Sequence, residues 1–316
     1  MKRVVDACNK ERTDLLLIAG DLFHRQPLLR ELKEVNSLFA TLKHTPVVLV
    51  AGNHDYLKKD SYYRTFRWAR NVQMILSEDI SCVEFPQLSL AVYGCSYHSR
   101  EIKEAKYDNA FAGNKQRYEI LIAHGGDEKH IPINGNALKR SGFDYVALGH
   151  IHKPQAMGRE MVRYAGSILK YSFSEIHKDK QATILTISKN KQISLSHHLL
   201  KPLRDMREME CSLESLLKRK CEIGNEEDYM HVILTDEEQI LDAIGKVRTV
   251  YPNVMQISFK NRRHMMQYET IQMKENQIAD QNPMELFEQF YKMQNHIDLD
   301  EKRAQMAISI FEEVIR

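Results

Sequence analysis

What the chain lacks narrows its identity first. No run reaches the ~18 consecutive apolar residues of a membrane-spanning helix, and the N-terminus, MKRVVDACNKERTD, carries no apolar signal-peptide stretch. The expectation is a cytoplasmic protein with no membrane partner. Cysteine is scarce, 5 in 316 residues, and Cys8, Cys82, Cys95, Cys211 and Cys221 are odd in number with no CxxC spacing. That argues against a disulfide framework or a zinc ribbon and leaves free thiols in a reducing compartment. Neither sign of charge dominates: 45 Lys and Arg against 43 Asp and Glu give a formal net charge of +2. Any contact with nucleic acid must therefore come from local patches. Internal repeats and low-complexity tracts are also missing.

What is present suffices for a folded protein of roughly two domains, with 43% of the residues hydrophobic. Val4, Val5 and Cys8 recur at helical spacing and run at once into LLLIAG (15 to 20). A second apolar run, VVLVAG (47 to 52), follows the helical pattern LLRELKEVNSLFATLK. This is a βαβ unit whose strands are expected to be parallel and buried on both faces. LSLAVYGCSY (88 to 97), YEILIAHGG (118 to 126) and FDYVALGHIH (143 to 152) are further strands ending in Gly or His, and MVRYAGSI and QATILTI an antiparallel finish.

From Leu203 the segment RDMREMECSLESLLKRKCEIGNEEDY reads as solvated helix and loop. The stretch from Met230 to Lys260 then reads as a strand, a helix capped by Thr235, and a strand after the Tyr251-Pro252-Asn253 turn. The tail gives two amphipathic helices, with Leu286, Phe287 and Phe290 on one and Met306, Ile308, Ile310, Phe311 and Val314 on the other.

Each apolar strand delivers polar residues at the same end, where open α/β sheets place ligands. GDLFH gives Asp21 and His24, AGNHD gives Asn53, His54 and Asp55, AHGG gives His124, and GHIH gives His150 and His152. A mixed oxygen and nitrogen set without thiolate suits Mn²⁺, Fe²⁺ or Zn²⁺ better than Ca²⁺ or a structural zinc. A carboxylate such as Asp21 is able to bridge two ions ~3.5–4 Å apart, an arrangement that activates water for displacement at phosphorus.

The series GDxxH, GNHD, AHGG, GHxH resembles the calcineurin-like metallophosphoesterases. The longer strings LLLIAGDLFH, LGHIHKPQ and YAGSILKYSFSE are similar to their SbcD branch, nuclease subunits in double-strand-break repair and recombination. The resemblance covers essentially the whole chain and is weaker in its C-terminal part. It implies an α/β fold, a metallophosphoesterase sandwich of two sheets flanked by helices, with a small α+β capping domain and C-terminal helices. The expected boundaries are 1–200 for the nuclease domain, 201–271 for the cap, and 272–316 for helices that attach to an ATPase.

Carried over, the resemblance implies two divalent ions, most readily Mn²⁺. Asp21 would bridge them, Asn53, His124 and His150 would complete the second site, and His152 would ligate the first ion. His54 would act on the scissile phosphate with Asp55 orienting it, and His24 would lie near the substrate or cap the following helix. DNA and an SbcC-type ATPase are the implied partners, and a homodimer is compatible.

One departure stands out. The family opens with a strand carrying Asp-x-His, two further ligands of the first ion, and that tripeptide occurs nowhere in these 316 residues. Either the chain starts internally, which the opening in mid-helix favours and which predicts lowered stability and weak nuclease activity, or it is a degenerate member that binds DNA without cutting. Restoring an upstream segment and finding no manganese-dependent cleavage would defeat the first account. A small-substrate metallophosphoesterase is the alternative enzyme. His44, His98, His130, His177, His197, His198 and His264 are read as structural or surface residues. The cluster KNRRH (260 to 264) is read first as a solvated loop and second as a phosphate contact.

Overall fold

A computed structural model describes residues 1–114, 116–219, 224–238, 240–261, 283–295 and 297–314. The chain divides into two compact units, Met1–Asp205 and Met206–Arg316.

In the first unit, helix α1 (Lys2–Glu11) buries Val4, Val5, Ala7 and Cys8 on one face. Strand β1 (Leu16–Ala19), helix α2 (Leu29–Phe39), β2 (Val47–Val50) and β3 (Val72–Met74) follow, and the three strands form a parallel sheet in the order β1-β2-β3. A six-stranded sheet holds β4 (Ser81–Phe85), β5 (Leu90–Gly94), β6 (Tyr118–His124), β7 (Tyr145–Gly149), β8 (Gln155–Met157) and β9 (Arg159–Tyr164), in the order β4-β5-β6-β7-β9-β8. Helix α3 (Gly135–Arg140), capped by the Asn134 side chain, lies between β6 and β7 in sequence. Strands β10 (Gln181–Ile187) and β11 (Ile193–Leu199) form an antiparallel pair.

Period-two alternation explains how the two sheets stack. Val47 and Leu49 of β2 pack with Val4, Val5 and Phe39 of the helices, whereas Val48 and Val50 pack with Val92, Ile120, Ile122 and Tyr145 of the larger sheet. Leu121, Ala123, Val146 and Leu148 point to the far side of that sheet, into a cluster with Tyr97, Phe143 and Tyr164. Burying each such side chain stabilises the fold by about 1.5–3 kcal/mol. The expected burial of both strands of the first βαβ unit holds for β2 only. Every residue of β2 is buried, while β1 is half-buried along its length, because β1 is an edge strand and lines a largely apolar cavity of about 920 Å³ between α1, β7 and β10.

β9 also departs from the antiparallel reading, since it pairs parallel with β7 and antiparallel with β8. β5, β6 and β7 are mutually parallel, so β6 and β7 end at one edge of their sheet, as β1 and β2 do in theirs.

In the second unit, β12 (Met206–Cys211), helix α4 (Leu213–Leu217), β13 (Tyr229–Leu234), helix α5 (Ala243–Arg248) and β14 (Val254–Phe259) form a parallel three-stranded sheet with two short helices. The segment read as solvated helix and loop thus begins with a strand. Met206 and Met209 are its buried positions, and the charged residues between them hid the pattern. Thr235 does not cap the helix; Asp242 does, accepting from the backbone N–H of Gly245. Helices α6 (Pro283–Asn295) and α7 (Glu301–Val314) match the two expected tail helices. Residues 262 to 264 of KNRRH, and with them His264, lie outside the described residues, as does Cys221. No helix among the described residues is long and apolar enough to cross a membrane.

Candidate metal centre

The residues that follow β1, β2 and β7 and the last residue of β6 meet at one place. Asp21, after β1, has its backbone in the left-handed region at φ 48°. Its Oδ1 accepts the backbone N–H of His54 at 2.9 Å and its Oδ2 lies 3.2 Å from Nε2 of His124. Asn53, after β2, is buried, and its Oδ1 lies 3.0 Å from His124 Nε2 and 3.2 Å from His150 Nδ1. One ligand atom each from Asp21, His124 and His150 lie within 4.8 Å of one another.

The far nitrogen of each imidazole is also engaged. His124 Nδ1 is 2.8 Å from the Ala19 carbonyl, which only accepts, so Nδ1 carries the proton and Nε2 faces Asp21 and Asn53. His150 Nε2 is 2.8 Å from Oδ2 of Asp127. Metal-ligating histidines show this arrangement, one nitrogen on the ion and the other donating to an outer acceptor. Together with a carboxylate and an amide oxygen it makes a nitrogen and oxygen donor set that fits a divalent ion.

The surroundings hold this geometry. Tyr97 donates to the His124 carbonyl at 3.0 Å, Tyr107 accepts from the His124 N–H at 3.1 Å, and Tyr164 donates to the Gly125 carbonyl at 3.0 Å. Burial pushes the Tyr164 hydroxyl up to about 12, so it stays a donor. Gly20 sits at φ 83°, and a Cβ there would collide with the His124 ring.

Burial raises the Asp21 carboxyl, but His124 and the His54 N–H outweigh it and hold it below the usual carboxylate range. His124 is lifted by Asp21 despite its burial. His150 is lowered, chiefly by burial and by the neighbouring His124 charge, against the pull of Asp127.

His54 and His24 stand beside this cluster. Their rings stack with centroids 4.5 Å apart, and His54 Nδ1 lies 3.1 Å from the His24 carbonyl. Asp55 has a different place from the one expected. It is fully buried, accepting from the backbone N–H groups of Gly52 at 2.8 Å and Phe23 at 3.2 Å and from the Tyr63 hydroxyl at 2.8 Å. These three donors, and not the His54 ring that it was expected to orient, are the partners of its carboxylate. Burial and the Asp21 charge push its carboxyl up to about 6.

His152 lines the same cavity as Asp21, His54 and His150 but is not a member of the Asp21, His124 and His150 group. His150 has φ 98°, so the strand has already turned, and the His152 ring lies 5.2 Å from Tyr171 instead. Two residues near the cluster escape sequence reasoning. Asp127 is absent from the strand-end set, and His130 is among the histidines read as structural or surface residues. Its Nδ1 lies 2.8 Å from both Asp127 oxygens, and Asp127, His130 and His150 form a second group with ligand atoms within 4.8 Å. The signal is the continuation of AHGG into Asp127 and, three residues on, His130.

Comparison with known proteins finds two families and a relative. Residues 1–154 match the family described as calcineurin-like phosphoesterase. Residues 202–295 match a family, SbcD_C, described as type 5 capsule protein repressor C-terminal domain. A protein of Staphylococcus epidermidis, named as the SbcD subunit of the nuclease SbcCD, is 26% identical over 318 residues, spanning 90% of this chain and 83% of that protein.

Proposed function

We propose that the chain, similar to the calcineurin-like phosphoesterases over residues 1–154 and to an SbcD subunit over most of its length, is the nuclease subunit of a cytoplasmic DNA double-strand-break repair complex, hydrolysing phosphodiesters in concert with an SbcC-type ATPase. The observation that carries this reading is the convergence of Asp21, Asn53, His124 and His150 from four strand ends onto one point. These four would hold a divalent ion, manganese in our reading, which when bound supplies Lewis-acid stabilisation of a phosphate oxygen and lowers the pKa of a bound water.

The other chemistry falls to the chain's own side chains. His54 has Nδ1 donating to the His24 carbonyl and one ring face covered by His24, so it is the imidazolium form of the ring whose free Nε2–H would give its proton to the departing oxygen or offset charge on the scissile phosphate. Asp55 supports this indirectly by holding the Gly52–His54 turn.

The second unit fits attachment to a partner. Phe290, Ile297, Met306, Ile308 and Ile310 are exposed, an apolar surface of the kind that takes a partner helix. An SbcC-type coiled coil is the occupant we assign to it.

The test is manganese-dependent cleavage of linear duplex DNA, with and without the ATPase, beside turnover of bis(p-nitrophenyl) phosphate. Release of nucleotides that chelation abolishes is expected. Turnover of the small diester unaffected by competing duplex would replace this reading with a small-substrate phosphoesterase. Tight DNA binding without cleavage would replace it with a non-catalytic subunit.

A further inference from the structure

The Asp127 carboxylate is fixed from several sides. Its Oδ1 accepts the backbone N–H of Lys129 at 2.8 Å and of His130 at 2.9 Å, while His130 Nδ1 lies 2.8 Å from both oxygens. The loop that carries it is closed on itself, since the Gly126 N–H donates to the His130 carbonyl at 2.9 Å. Oδ2 of this anchored carboxylate meets His150 Nε2 at 2.8 Å, on the opposite side of the imidazole from Asn53.

An anionic carboxylate only accepts, so the proton of the neutral His150 ring is held on Nε2 and the Nδ1 lone pair is left facing Asn53 and His124. We propose that Asp127 is a positioning residue, which fixes the tautomer and the ring plane of His150 so that Nδ1 is presented to the metal centre, with His130 clamping the carboxylate from behind. The inference rests on the proposed metal site, and it extends the ligand sphere to residues that neither the strand-end motifs nor the order of histidines identifies.

Asparagine at position 127 is the informative change. Its single oxygen would stay with the two backbone N–H groups, and its amide NH₂ would face His150, which then accepts through Nε2 and moves its proton to Nδ1. Asp127 is about half exposed, so Asp127→Asn is expected to fold, and circular dichroism checks that it does. Two measurements follow, on wild type, Asp127→Asn and His130→Ala.

Long-range ¹H–¹⁵N spectra of the metal-free proteins report the His150 tautomer. Equilibrium binding of Mn²⁺ alone reports affinity and ions per chain. We expect Asp127→Asn to switch His150 from the Nε2–H to the Nδ1–H form and to weaken Mn²⁺ binding about 10- to 100-fold with the number of ions unchanged. For His130→Ala we expect a change below about threefold.

An unchanged tautomer with unchanged affinity would overturn the proposal while leaving the metal site standing. Loss of one whole ion in both variants would overturn it in favour of a separate cation site on Asp127, His130 and His150. A wild type that binds no Mn²⁺ but shows the tautomer switch would strike the metal reading and leave the orientation of His150 intact.

Discussion

His124 Nδ1 and the Ala19 carbonyl, 105 positions apart in the chain, lie 2.8 Å apart and join the end of β6 to the end of β1. The contact exists because Gly149 has no side chain. A Cβ at that position would collide with the Ala19 carbonyl and come within 3.0 Å of His124 Nδ1. Gly149→Ala should therefore displace the acceptor that fixes the His124 tautomer. We expect about a tenfold or larger loss of Mn²⁺ affinity and a stability loss of about 1–3 kcal/mol from overpacking. Denaturant unfolding and equilibrium metal binding on the same sample check both, and wild-type values in each would show that the Ala19 contact is dispensable.

His54 separates chemistry from metal binding. Its backbone N–H, not its ring, bonds Asp21, and its ring rests on His24. His54→Ala keeps the backbone donor, so Mn²⁺ affinity should stay within about twofold to threefold. The rate of DNA cleavage should fall by about 10²–10⁴, the range for loss of a general acid or base. Parallel loss of metal and activity would mean that the ring itself supports the donor set.

The strand ends were legible because GD, GNHD, AHGG and GHIH couple an apolar run to a polar stop, and a period-two core forces such runs into stacked sheets. Orientation within the site was not legible. His150 and His152 share a face in an extended strand, yet the φ of 98° at His150 sends them to different neighbours. Asp55 is one residue from His54 and still bonds only inward, because Gly52 N–H, Phe23 N–H and the Tyr63 hydroxyl needed a buried acceptor. Charge misled the reading of β12, where Arg207, Glu208 and Glu210 surround the buried Met209. Asp127 was missed because its partners His130 and His150 are brought to it by the loop and by β7, and position in sequence does not show this.

Asp55 should matter for stability more than for the pH dependence of cleavage. Asp55→Ala leaves two buried donors and one half-buried donor without their acceptor, at about 1–3 kcal/mol for each buried one before relaxation. A loss of at least about 3 kcal/mol is expected, and Tyr63→Phe, which removes one donor, should cost about 1 kcal/mol. Denaturant midpoints measure both. A small loss in Asp55→Ala, with a shifted pH–rate profile, would restore the orienting role for His54.

Glu119 should shape the acid limb of stability. Its side chain is 1% exposed and accepts from Arg117 Nε at 3.0 Å, the Tyr93 hydroxyl at 3.0 Å and the Asn114 N–H at 3.1 Å. Burial pushes its carboxyl up, but these donors hold it below the usual range. A depressed acid binds its proton less readily in the folded state, so this stability is present above the unfolded value and disappears as pH falls through the folded one. Wild type should exceed Glu119→Gln by about 1.5–3 kcal/mol at pH 7, the worth of hydrogen bonds to a charge. The gap should shrink on acidification below pH ~4.5. Urea unfolding at several pH values reads it, and a constant gap would mean that packing, not charge, sets the difference.

The number of ions bound at equilibrium decides how complete the centre is. Among the described residues, Asp21, Asn53, His124 and His150 form one convergent set, and the other titratable group draws on the same His150. One imidazole contributes a single lone pair when its other nitrogen is protonated, so the two groups compete for His150. His152, against Tyr171, adds no donor to either. The chain should therefore bind one Mn²⁺ tightly, and His152→Ala should leave both the count and the affinity of that ion unchanged within about twofold. His124→Ala removes the ring facing both Asp21 and Asn53 and should abolish binding in the same titration. Two tight ions in wild type, falling to one in His152→Ala, would show instead that His152 leaves Tyr171 to build a second site.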